Sequence, residues 1–179
     1  MPFSTYYKKV VFAWVLMLFV SVPASAQQGG GCNTSTFFRH FSVAGQKVRI
    51  GDVQTFPDGN FLLAGDLRLA NGEYEGLICR MTNAGVFISQ NQIRINGKPV
   101  SIQAAKVRYS GKVILAGIVY DSPDKMFVGM LNNNLSIDWL KTINVPSTPV
   151  KVVLDYAEGG NIVAAAQLGT GIVYSGFNA

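Results

Sequence analysis

The chain has 179 residues, 49% of them hydrophobic and 14% charged, with a formal net charge of +5, two cysteines and one histidine. One histidine cannot anchor a Cys/His zinc cluster, and 15 Lys and Arg without a cluster argue against a nucleic-acid stripe. A charged fraction well under the usual quarter calls for a surface dressed mostly with Asn, Gln, Ser, Thr and Gly, which suits an exported protein.

In chain order, "YYKK" at 6 to 9, the apolar run Val10 to Val22 and "PASA" at 23 to 26 have the layout of a secretory signal peptide. The run is shorter than the roughly 20 residues a bilayer core requires, and Pro23 suits an uncleaved anchor poorly. Cleavage is expected after Ala26, leaving no stable membrane span. Lys8 and Lys9 leave with the signal, so the net charge falls from +5 to +3. Residues 27 to 36, with "QQGGG" at their start, read as a flexible leader, and Cys32 lies too far behind the apolar run for a lipobox. Export brings Cys32 and Cys79 into an oxidising compartment where a disulfide is allowed. The reading favours two unpaired thiols, because Cys79 sits in the apolar strand "GLICRM" and Cys32 in the leader.

Strand-like segments then follow one another to residue 179. "TFFRHFSV" (36 to 43) comes first, and residues 37 to 43 of it read as a strand. The first unit, about 48 to 97, holds "VRIGDVQT", "GNFLLAG", "YEGLICRM" and "GVFISQNQIRI". The second, about 98 to 147, holds "KPVSIQAAKV", "GKVILAG", "KMFVGML" and "LSIDWLKTINV" in the same order. The third, 148 to 179, holds "TPVKVVLDYA", "GNIVAAA" and a last strand in "GIVYSGFNA". The motif "GNFLLAG" thus recurs as "GKVILAG" 52 residues on and as "GNIVAAA" 49 beyond that, a period of about fifty. Asp58-Gly59, Ser110-Gly111 and Glu158-Gly159-Gly160 supply tight hairpins, and Asn83-Ala84-Gly85 and Asn132-Asn133-Asn134 the later turn, where asparagine tolerates left-handed backbone. No helical period appears outside the signal, so the mature chain reads as all-β.

A hairpin strand on a solvated sheet alternates apolar with polar, yet Phe61 to Ala64, Val113 to Tyr120 and Ile162 to Ala166 are apolar on both faces. Small four-stranded antiparallel sheets stacked face to face bury both faces, as propeller blades do. The Ala-Gly, Ala-Gly and Ala-Ala pairs closing the three copies suit strands crowded towards a central axis. The expected architecture is a β-propeller-like array of about three blades; a β-sandwich is the alternative, but it gives no reason for a repeated four-strand order.

"DGNFLLAG", "GLICRMTNAG" and "SIDWLKT" resemble the delta-60-like β-propeller repeats of exported bacterial proteins, over about residues 37 to 179. The resemblance implies a secreted or surface scaffold and transfers no catalytic residues. Strand 37 to 43 would complete the last blade. Three blades form an incomplete ring, so the expectation is a fragment of a longer protein, or end blades that need further blades or a partner chain.

Propellers bind ligands at the channel mouth, where the innermost strands end. Asp52 and Asp155 fall at similar points of the first strand in units one and three, with Lys106 near that level in unit two. These three are the candidate ligand-binding residues; solvated strand-end charge is the plainer account of them. His40 has no nucleophile motif around it, "GTGIVYSG" (169 to 176) reads as a turn and a strand rather than a dinucleotide loop, and Asp121-Ser122-Pro123-Asp124 reads as a turn rather than a calcium loop. Asn33-Thr34-Ser35 and Asn134-Leu135-Ser136 match the glycosylation sequon. No cofactor or metal is expected. The favoured function is a non-enzymatic exported scaffold presenting a surface to protein or glycan; the alternative is part of a secreted hydrolase or lyase, with Asp52 and Asp155 as paired carboxylates.

Overall fold

The computed structural model describes residues 46 to 157 and 160 to 178. The expected signal peptide, the leader with Cys32 and Asn33, strand 37 to 43 with His40, and the Glu158-Gly159 pair lie outside the described residues. Among the described residues the fold is all-β: eleven strands in three antiparallel sheets. The first sheet runs β1 (Lys47–Thr55), β2 (Phe61–Arg68), β3 (Tyr74–Met81) and β4 (Phe87–Ile93) in simple meander order. The second repeats that order with β5 (Val100–Val107), β6 (Val113–Val119), β7 (Lys125–Leu131) and β8 (Ile137–Asn144). The third contains β9 (Lys151–Tyr156), β10 (Ile162–Gln167) and β11 (Ile172–Phe177). No helix among the described residues is long and apolar enough to cross a membrane.

The second sheet lies between the other two. Strand β5 packs on β1, β2 and β3, while β9 packs on β5 and β6. One core, between the first and second sheets, gathers Leu62, Ala64, Ile78, Ile102, Leu115 and Phe127. The other, between the second and third, gathers Ile114, Ala116, Val128, Val152, Ile162 and Ala164. Every residue of β6 is therefore buried, and each large aliphatic or aromatic side chain so enclosed contributes about 1.5–3 kcal/mol. Two buried faces are found in full only in this middle sheet. In β2, Phe61 and Leu63 are half-buried while Ala64 to Leu67 are buried, and in β10 burial alternates between a face on the middle sheet and an open face. On the far side of the first sheet, Leu67, Leu77 and Cys79 form a small cluster of their own with Val48, Leu63 and Leu69.

The hairpins open as their turn residues dictate. Gly59, Gly111 and Gly160 all have φ near +80°, and each donates its N–H three residues back, to the carbonyls of Phe56, Arg108 and Ala157. In the β3–β4 turn the left-handed residue is Gly85. In the β7–β8 turn it is none of the three asparagines but Leu135, at φ 64°. A left-handed leucine costs about 1–2 kcal/mol; its side chain is 1% exposed in the first core, and that burial outweighs the strain.

The Ala-Gly endings have a more local cause than crowding at an axis. Strand β1 bulges between Ile50 and Asp52, and β5 bulges at the matching place, between Ile102 and Ala104. Each bulge pushes a carbonyl onto the facing strand: a Cβ on Gly65 would stand 2.0 Å from the Arg49 oxygen, and one on Gly117 2.0 Å from the Ser101 oxygen. Strand β9 pairs with β10 without a shift, so Ala166 occupies the third copy's equivalent position without conflict.

Candidate functional site

The three first strands of the sheets, β1, β5 and β9, are neighbours, and their polar side chains tie them together. Asp52 is half-buried; its Oδ1 accepts from the Val53 N–H at 2.8 Å and the Gln54 side-chain amide at 3.0 Å, while its Oδ2 accepts from the Ala105 N–H on β5 at 2.9 Å. One sheet further on, Gln103 sits in the β5 bulge and its Oε1 accepts from the Val152 N–H on β9 at 2.6 Å. Each side chain thus satisfies a backbone donor that the meander leaves unpaired on the next sheet.

Lys106 and Asp155 come together, with Nζ and Oδ1 at 3.6 Å. Asp155 is 79% exposed, so the pair is of the weak, water-screened kind. The register explains why these two meet and why Asp52 stands apart from their level. Lys106 pairs with Ile114, and Asp155 with Val163, its repeat counterpart, whereas Asp52 pairs with Ala64, two places along. The β5 bulge adds a residue that β9 lacks, shifting the correspondence between the two strands from fifty residues to forty-nine midway.

At the opposite end of these strands lies a second polar group. Asp66, 1% exposed, receives two hydrogen bonds from Arg49, Nε to Oδ1 at 3.1 Å and Nη2 to Oδ2 at 2.5 Å. Nη2 also donates to the buried Ser101 Oγ at 2.8 Å, and the guanidinium lies 5.7 Å from the centre of the Tyr74 ring. Asp66 raises the Arg49 pKa, so the cation is permanent. Beside it, Arg49, Gly51, Gln103, Lys151 and Gln167 line an open groove of about 340 Å³ that crosses all three sheets' first strands. Lys151 has no ion-pair partner among the described residues. The groove's polar lining consists of two cations and two carboxamides, with no carboxylate facing it. Sequence reading passed over Arg49, Gln103 and Lys151, since each is an isolated polar residue in a strand and only the bulges reveal where they converge.

The remaining candidates have structural uses. Asp121 is held between Lys125 at 3.1 Å and Lys98 at 3.2 Å; chiefly the Lys125 hydrogen bond, then the Ser122 N–H and Lys98, lower its pKa to about 2. It is an ion-paired loop anchor. Asn134 Oδ1 accepts from the Ser136 N–H at 3.0 Å and its hydroxyl at 2.7 Å, closing the β7–β8 turn at that sequon. Residues 169 to 176 form a turn leading into β11. Cys79 is a free, buried thiol, pushed up to about 11 by desolvation. Among the described residues, no three His, Cys, Asp or Glu side chains converge to hold a metal ion.

No family model matches the sequence. No curated protein matches it. Among solved structures, a protein of unknown function from Bacteroides caccae is similar, at 9% identity and a TM-score of 0.42; the likeness covers 74% of this chain and 57% of that one, so the chain spans a little over half that protein's length.

Proposed function

We propose that this chain is an exported, non-enzymatic scaffold, a propeller-like array of small sheets that presents a binding surface to a protein or glycan. The repeated meander, the neighbouring first strands and the matched bulges support the blade-like arrangement, and the amino-terminal layout supports export. The observation that carries the functional reading is the groove over β1, β5 and β9. Its lining offers hydrogen-bond donors from Arg49, Gln103, Lys151 and Gln167, and positive charge from Arg49 and Lys151, without an acid and base facing each other. Such a lining suits a carboxylate-bearing ligand, a uronate of an acidic polysaccharide or an acidic protein segment, by charge-assisted hydrogen bonds. Asp52, the residue on which a hydrolytic reading depends, is engaged by three donors, two on its own strand and one, the Ala105 N–H, that joins the first sheet to the second.

Affinity electrophoresis against acidic and neutral polysaccharides tests this, with released sugar assayed in the same samples. Retardation by acidic polysaccharide alone, weakened at least tenfold by Gln167→Glu, is the expected result. Sugar release that disappears in the Asp52→Ala/Asp155→Ala double variant would establish the hydrolase or lyase reading instead.

A further inference from the structure

The outer face of the third sheet repeats part of the apolar pattern of the second-sheet face that the third covers, with Gln167 and Gly176 standing where that face has Ile118 and Met130. By strand pairing, Ile114, Ala116 and Ile118 of β6 correspond to Val163, Ala165 and Gln167 of β10, and Met126 and Val128 of β7 to Ile172 and Tyr174 of β11. The five residues of the second sheet are buried. Of their counterparts, Ile172 is 73% exposed and Tyr174 78%, Gln167 is exposed, and Val163 and Ala165 are half-buried; Val153, beside them on β9, is 48% exposed. A shallow groove of about 500 Å³ lies open between Val153, Ala165, Leu168 and Ile172. Among the described residues, such a face is therefore covered once and its copy left open.

We propose that a second copy of this chain covers it, through the same face, as a two-fold dimer. Closed two-fold pairs require a self-complementary patch, and this one is self-complementary about the cross-strand row Val153, Ala165, Tyr174. Along β9, Lys151 and Asp155 lie two residues on either side of Val153, so a two-fold axis on that row sets the ammonium of each copy over the carboxylate of the other, in competition with Lys106 for Asp155 and with any ligand of the groove over β1, β5 and β9 for Lys151. Along β11, Ile172 and Gly176 flank Tyr174 in the same way, setting a large side chain over a position with no side chain. The two Tyr174 rings meet on the axis, as aromatic residues do at the centres of stable interfaces. A head-to-tail stack finds a smaller acceptor, because Leu67, Leu77 and Cys79 on the far side of the first sheet are already buried and leave mainly Val53, beside Leu63, exposed there.

Sedimentation equilibrium of the full chain decides this. The expected result is twice the chain mass at high micromolar concentration, falling to the chain mass in Ile172→Asp and, separately, in Tyr174→Asp, both exposed positions whose replacement leaves the two cores intact. Val153→Cys, on the axis, is expected to give a disulfide-linked dimer under mild oxidation. A single chain mass at all concentrations overturns the proposal. So does a dimer unaffected by both substitutions, or a ladder of masses beyond two, which would mean head-to-tail association.

Discussion

The carboxylate of Asp52, on the first sheet, accepts the backbone N–H of Ala105, on the second, at 2.9 Å. One side chain thus fastens the first strands of two sheets whose connection in sequence is more than fifty residues long. Asp52→Ala removes the acceptor and leaves a partly buried N–H unmatched, which costs about 1–2 kcal/mol. Urea unfolding is expected to show a lower midpoint with an unchanged slope; a variant as stable as the parent would remove the clasp from the account.

The bulge opposite Gly117 makes a sharper prediction. A Cβ at Gly117 would meet the Ser101 oxygen at 2.0 Å and the Phe127 ring at 2.8 Å, so Gly117→Ala forces backbone apart in the middle sheet. We expect a loss of about 2–4 kcal/mol. Ala166→Gly, at the equivalent place without a bulge, should cost only about 1–2 kcal/mol, from backbone entropy and the loss of one buried methyl group. Thermal unfolding of the two variants side by side measures the contrast.

Leu135 sets two effects against each other. Leu135→Gly relieves about 1–2 kcal/mol of left-handed strain but removes a buried leucine, a change that costs about 2–5 kcal/mol even when alanine is left behind. The net expectation is destabilisation by about 1–3 kcal/mol, seen as an earlier denaturant midpoint. Increased stability would show that the turn, not the core, determines the residue there.

Cys79 supplies the pH-dependent case. Burial raises its pKa from 9.0 to about 11, which means the neutral thiol is favoured in the folded chain. Its contribution to stability is complete below pH 9 and declines as pH rises from there through 11. A thiol reagent at pH 8 is expected to leave Cys79 unmodified in the native chain and to modify it promptly in denaturant. Rapid native labelling would place the side chain at the surface.

The meander order, the turn glycines and the fifty-residue period were legible because each rests on local chemistry: apolar runs bounded by turn residues, positive φ, recurrence. Burial of β6 on both faces was legible for the same reason, as seven apolar residues in a row have no wet side to offer. What the sequence concealed were the bulges. An extra residue in β1 and β5 but not in β9 leaves no compositional mark, yet it changes the register, placing Lys106 level with Asp155 and Asp52 elsewhere. It also makes Gln103 a clasp and brings Arg49, Gln103 and Lys151 around one groove, three residues with nothing to connect them in the sequence. Leu135 was misplaced because a turn rule describes the backbone, whereas here a side chain buried 1% exposed decides which residue takes the strained position.

The clasps all point one way along the chain, from Asp52 to Ala105 and from Gln103 to Val152. The middle sheet therefore receives one clasp from the first sheet and supplies another to the third. Amide deuteration should follow this asymmetry, with protection greatest in β6 and β7 and the third sheet opening first, so that the molecule breathes from one end.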